Sequence, residues 1–210
     1  VRGDLEGAMR LYQESLAIDE SLGDRRGQAA TLAMMGQVLV VQSKLNEAMR
    51  HYQDALAILE SLGDLRGQAA TLHEMAGILA VRGDLEGAMR LYQESRAILE
   101  SLGDLQGKAA TLHAMAYILR VRGDLEGAMR LYQESLAMKE SLGDLQGKAV
   151  TLAMMGQVLL ARGQRLEGIR ALRQALEILD QMGAQGDAAL VSLMLERVRQ
   201  ELEEAFRSAG

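Results

Sequence analysis

The chain has 210 residues, with 23 Lys and Arg against 29 Asp and Glu, a formal net charge of −6, 49% hydrophobic residues, and neither cysteine nor proline. Without cysteine there is no disulfide scaffold, thiolate-zinc site or cysteine nucleophile. Charges of both signs interleaved along the chain argue against nucleic acid as the main partner, and the longest nearly apolar run, 29–41, is broken by Thr31 and Gln37 and is too short to span a bilayer.

Self-similarity dominates the chain order. The string VRGDLEGAMRLYQES stands at Val1, Val81 and Val121, and a diverged copy opens at Val41, so the period is 40 residues. Segments 63–102 and 103–142 differ at eight positions only. Gly-Asp pairs at Gly3, Gly23, Gly63, Gly83, Gly103, Gly123 and Gly143 mark a half-period of 20, with Ser43-Lys44 and Gly163-Gln164 in the same places elsewhere. Each pair reads as a stop and a start: Gly takes the left-handed residue that ends one helix, and Asp caps the next. The apolar residues between follow a helical period, as in Leu72, Met75, Ala76 and Leu79, then Leu85, Ala88, Met89, Tyr92 and Leu99. This spacing predicts helices over 4–21, 24–42, 44–61, 64–82, 84–101, 104–122, 124–141, 144–162, 164–182 and 187–207.

Segment 1–22 is then the second helix of a truncated leading unit, and full units follow at 23–62, 63–102, 103–142 and 143–182. Segment 183–210 is a capping helix, polar along Glu196, Arg199, Gln200 and Glu203 as the end of a stack requires. The opening helix lacks its partner, so that end is expected to expose apolar surface. No hairpin buries its apolar stripe alone, so neighbours must stack. Met35, Met75, Met115 and Met155, and likewise Met9, Met49, Met89 and Met129, recur in register as core positions.

In order, Leu32, Met35-Gly36, Leu39, Ser43, Leu45, Ala48, Tyr52 and Ala55 resemble the tetratricopeptide repeat, as do Leu72, Met75-Ala76, Leu79, Gly83, Leu85, Ala88, Tyr92 and Ser95. The third unit matches through Leu112, Met115-Ala116, Leu119, Gly123, Ala128 and Tyr132, and the fourth drifts to Gly168 and Leu172. The missing proline and six extra residues per unit resemble the forty-residue variety found in cell-polarity scaffolds and in sensor arms of bacterial signalling proteins. The resemblance implies an all-α, right-handed superhelical solenoid of antiparallel helix pairs whose concave groove holds a peptide or a partner-protein helix.

Near-identical repeats carry an internal control, since fixed positions serve packing and variable ones are free or adapted. On the first helix of each unit, the residues one face apart are Ala33, Gln37 and Val40; His73, Gly77 and Ala80; His113, Tyr117 and Arg120; and Ala153, Gln157 and Leu160. In the resembled family this face lines the groove. The expected groove is polar at its middle (His73, Glu74, His113, Tyr117, Arg120), with Gly77 beside them and Gln37 and Gln157 further out, and apolar at its flanks (Ala33, Val40, Ala153, Leu160). Arg120 is expected to pair with a partner carboxylate while Tyr117 packs on its apolar part. Drift on a solvated face is the alternative.

Other signals lead to no chemistry. Gly103 to Ala109 resembles a phosphate-binding loop but is one residue short, lacks Ser or Thr, and follows a helix. His73 and His113 sit on different repeats with no His-x-x-x-His pair, and no acid, base and nucleophile converge. The Arg-Gly-Asp triplets at Arg2, Arg82 and Arg122 read as helix stops and caps. His51 is expected to be exposed, and Arg96 partly so. The expectation is a cytoplasmic, non-catalytic protein-binding scaffold with no cofactor, metal, membrane or nucleic-acid partner. The alternative is the sensor or oligomerisation arm of a larger bacterial signalling protein, such as a STAND-type ATPase, self-associating as a homo-oligomer through exposed repeat ends.

Overall fold

The computed structural model describes residues 4–209, apart from the side chains of 205, 206, 208 and 209. The Gly3 stop expected from the sequence lies outside them. Ten α-helices run through the described residues: α1 Leu5–Leu22, α2 Arg25–Val41, α3 Leu45–Leu62, α4 Leu65–Val81, α5 Leu85–Ser101, α6 Leu105–Val121, α7 Leu125–Ser141, α8 Leu145–Ala161, α9 Arg165–Gln181 and α10 Gln185–Ala209. The first nine begin and end within one residue of the expected bounds, and α10 extends two residues further at each end.

The punctuation works as its chemistry requires. Seven Asp carboxylates, from Asp4 to Asp144, each accept from the backbone N–H of the glycine three residues on, at 2.7–3.0 Å. The glycines that end the helices have φ between +65° and +85°. Ser43 holds the same left-handed conformation, φ +61°, although it carries a side chain. Lys44 and Gln164, which replace Asp, make no side-chain cap bond.

The chain divides into two compact units, Val1–Gly107 and Lys108–Gly210. Within each, consecutive helices pack antiparallel around small residues, the arrangement of a tetratricopeptide-like all-α solenoid. In the first unit the Tyr52 ring of α3 lies on Gly36 of α2, where an added Cβ would come within 2.8 Å of it. Leu39, Ala48, Met49, Tyr52, Met75 and Ile78 form one core cluster there, and Ala29, Leu32, Ala55, Ile58 and Leu59 another. The buried Ser95 hydroxyl donates to the Ala69 carbonyl at 2.8 Å, joining α5 to α4.

The second unit repeats this device, with Ser135 donating to the Ala109 carbonyl at 2.7 Å. Ala116, Ala128, Met129, Tyr132 and Val158 form its first cluster, and α8, α9 and α10 close the second around Leu152, Leu172, Leu179 and Val191. Of the methionines read as core, Met35, Met49, Met75, Met89, Met115 and Met129 are buried, and Met9 and Met155 are half-buried.

The two terminal helices differ in kind. In α1 no residue is buried, and Leu11, Ile18 and Leu22 are exposed, whereas α3 buries Ala48, Tyr52 and Ala55 in the same register as Ala8, Tyr12 and Ser15. On α10, Ala188, Val191 and Val198 face inward, and Arg199 bridges Glu196 and Glu203 at 2.6 and 3.7 Å. Glu196 stands in the register of Gly36, Ala76, Ala116 and Gly156, where the other first-type helices need a small residue for close crossing.

Candidate functional site

The variable positions sit on the first-type helices, beside positions buried in packing such as Leu32, Met35, Leu72 and Met75. In the first unit, Gln37 is exposed and Ala33 and Val40 are half-buried on α2; His73, Glu74 and Gly77 are half-buried on α4. The His73 ring meets Tyr92 of α5 edge-on, with centroids 5.1 Å apart. Glu74 lies near the hydroxyls of both Tyr52 and Tyr92. Burial raises the Glu74 carboxyl above the ordinary carboxylate range, and burial together with the Glu74 charge pushes Tyr92 up to about 12 and raises Tyr52 further. Burial lowers His73. Gly77 leaves room, since a Cβ there would be 3.6 Å from the Tyr92 hydroxyl. The variable face of the first unit thus sets an acidic Glu74 beside protonated tyrosines.

The second unit carries the opposite sign. Tyr117 on α6 is 44% exposed, and the Arg120 guanidinium lies 5.0 Å from its ring centre, a cation–π pair. Burial pushes Tyr132 up to about 12, with the neighbouring Arg120 charge opposing that rise. Neither the Tyr132 hydroxyl nor Arg120 Nε has a hydrogen-bond partner of good geometry, although both are buried. His113 meets Tyr132 edge-on at 5.1 Å, and its Nδ1 is 3.1 Å from the Thr151 hydroxyl of α8. Gln157 and Leu160 are half-buried on α8, and the Gln157 amide donates to the Met194 sulfur at 3.2 Å.

Two expectations need correction. Ala153 does not line an open face: it is 3% exposed and packs with Leu172, Leu179 and Val191, because α10 lies against this side of α8. His51 is half-buried rather than exposed, and its Nδ1 is buried without a partner. Arg96 is half-buried, as expected of a long side chain at a leucine position.

One residue of this region is missed by the groove pattern. Lys139 of α7 is 8% exposed in the register of Leu59, Leu99 and Leu179, and its ammonium donates to Thr151 Oγ1 at 2.9 Å and to the Gly147 carbonyl at 3.4 Å. Burial lowers its pKa, and Asp144 works against that shift. The signal was present in the repeats, as a lysine where three others carry leucine, but it lies on a second-type helix away from the compared face.

Among the described residues, no group of three or more His, Asp or Glu side chains is placed to hold a metal ion. No helix is long and apolar enough to cross a membrane.

Among solved structures, the chain is similar to BtubC from P. vanneervenii, at 14% identity over 95% of this chain and 92% of that one, TM-score 0.73. It is similar to a signal transduction ATPase with numerous domains (STAND) protein with a tetratricopeptide repeat sensor from Pyrococcus horikoshii, at 15% identity and TM-score 0.80, covering 99% of this chain and 34% of that one. It is also similar to a Rap protein complexed with Competence and Sporulation Factor, at 15% identity and TM-score 0.66, covering 97% and 67%. At these identities the likeness is one of fold. No curated protein matches the chain. The tetratricopeptide repeat family model matches residues 1–61, 67–141 and 109–181. With helix pairs, small-residue crossings and that match together, the chain belongs to the tetratricopeptide repeat family.

Proposed function

We propose that this chain is a non-catalytic, cytoplasmic scaffold that binds a peptide or a partner-protein helix on the variable face of its first-type helices, the concave groove implied by the repeat. The contacts are Ala33, Gln37, Val40, His73, Glu74 and Gly77 in the first unit and His113, Tyr117, Arg120, Gln157 and Leu160 in the second. The observation that carries this reading is Arg120 stacked on Tyr117. Two side-chain types favoured at protein interfaces replace the Ala80 and Gly77 of an otherwise near-identical repeat. A partner carboxylate would pair with the half-buried Arg120 guanidinium.

The test compares proteins retained by the wild-type chain, by a Tyr117→Ala/Arg120→Ala variant, and by Arg130→Ala, which alters an exposed residue of α7. A partner held through this face is retained by wild type and R130A and weakened about tenfold to a hundredfold by the double variant. Equal retention by all three would mean that the repeats have simply drifted at 117 and 120.

The apolar face of α1 favours a second reading, in which the array is the sensor or oligomerisation arm of a larger signalling protein and associates with another copy through that end. The similarity to the repeat sensor of a STAND protein supports the same reading. Sedimentation that rises with concentration in the wild type, and stays flat in Leu11→Glu/Ile18→Glu, is its expected result. Concentration-independent sedimentation of the wild type would remove it.

A further inference from the structure

Lys139, Thr151 and His113 form a hydrogen-bonded line from the core of the second unit to its variable face. Three helices supply it: α7 gives Lys139, α8 gives Thr151 and α6 gives His113. Thr151 Oγ1 is the centre, with Lys139 Nζ at 2.9 Å, His113 Nδ1 at 3.1 Å and the Gly147 carbonyl at 2.8 Å.

Proton counting together with the distances assigns a direction to each bond. A lysine ammonium carries three donors and no acceptor, so Thr151 must accept from Lys139. The single hydroxyl proton of Thr151 is assigned to the nearer acceptor, the Gly147 carbonyl at 2.8 Å, rather than to His113 Nδ1 at 3.1 Å. One lone pair remains on Oγ1 to meet His113 Nδ1, and a lone pair is satisfied only by a proton. His113 therefore carries its proton on Nδ1, and its Nε2 is a bare acceptor.

The surroundings hold this state. The Tyr132 ring from α7 stands edge-on to the imidazole. The Lys139 charge, which burial disfavours and Asp144 supports, opposes a second proton on the ring. Arg120, two turns along α6 from His113, adds a positive charge to the same face. In the first unit Leu99 stands where Lys139 does.

We propose that Lys139 and Thr151 are positioning residues that fix His113 in its Nδ1–H form, so that the second unit offers a hydrogen-bond acceptor at Nε2 to an N–H or O–H donor of the partner. The partner chemistry rests on the face proposed above. It calls for a donor opposite His113 and a carboxylate opposite Arg120, about 10 Å apart along the helix axis.

Nitrogen-15 NMR of the imidazoles in the partner-free chain tests the proposal independently of that face. The three histidines are assigned with His51→Gln, His73→Gln and His113→Gln variants. The expected spectrum at neutral pH shows the His113 Nδ1 protonated and its Nε2 unprotonated. Lys139→Leu, which restores the leucine of the other repeats, abolishes that preference and raises the His113 titration midpoint; Thr151→Val abolishes the preference while leaving Lys139 in place. His73 is unchanged in both, which reports that the fold is intact. A proton on Nε2 in the wild type, or a tautomer indifferent to both substitutions, overturns the proposal. A spectrum as expected together with partner retention insensitive to Y117A/R120A leaves this assignment standing and removes the binding face instead.

Discussion

At the scale of single residues, His113 ties the core to a measurable pH dependence. Burial, aided by the Lys139 charge, lowers its pKa from 6.5 to about 4. The unfolded chain takes up a proton between those values that the native chain refuses, so this contribution is fully present above about pH 6.5 and is lost as pH falls toward 4. The loss reaches about 3 kcal/mol at the lower end. Urea unfolding from pH 7 to pH 4.5 reads it as the difference between wild type and His113→Gln, whose stability falls less steeply. Equal slopes would mean that His113 is accessible to protons in the native state. A core truncation gives the comparison of scale: Leu112 is fully buried, and Leu112→Ala costs about 2–5 kcal/mol in the same urea assay. Lys139 was visible in the sequence only as a lysine in a leucine register. Its role was not, because Thr151 and His113 lie on two other helices and their meeting at one hydroxyl is a property of the packed triangle. Ala153 failed for the same reason, since its burial is decided by the neighbouring α10.

At the scale of elements, the helix bounds were legible because they are written in local chemistry. The capping Asp and its left-handed Gly act within a few residues and need no tertiary context. The two places where the pattern lapses make this testable. Ser43 is held at φ +61°, and Lys44 caps nothing. Ser43→Gly is expected to stabilise the chain by about 1 kcal/mol through relief of the left-handed strain. Lys44→Asp is expected to add about 1 kcal/mol by creating the missing cap. Thermal unfolding of each variant and of the pair reads both, and a double variant no more stable than wild type would show that the α2–α3 turn is governed by something other than these two residues. The helix faces were less legible. A repeat comparison separates fixed from variable positions, but whether a variable position is open depends on what the next helix places over it: Gly77 is half-buried and Tyr117 is exposed at the same register.

At the scale of the whole molecule, each compact unit carries its own variable face, and the two faces differ in electrostatic character. The first presents Glu74 beside two protonated tyrosines, and the second presents Arg120, backed by the Lys139 charge. A partner of the first face would carry basic groups and a partner of the second acidic ones, and binding to either would weaken at high salt. The helix-pair stacking follows from the 40-residue period and its apolar stripes, because stacking buries them; the family follows from the resemblance of the repeated residues and the family match. The partner does not follow from the period, because identical packing serves any occupant of the variable face. Backbone hydrogen exchange of the chain, free and saturated with a captured partner, tests the central claim most directly. Slowed exchange over 113–120 of α6, with α3, α5 and α7 unchanged, is the predicted result; protection confined to those second-type helices, or to α1, would contradict it.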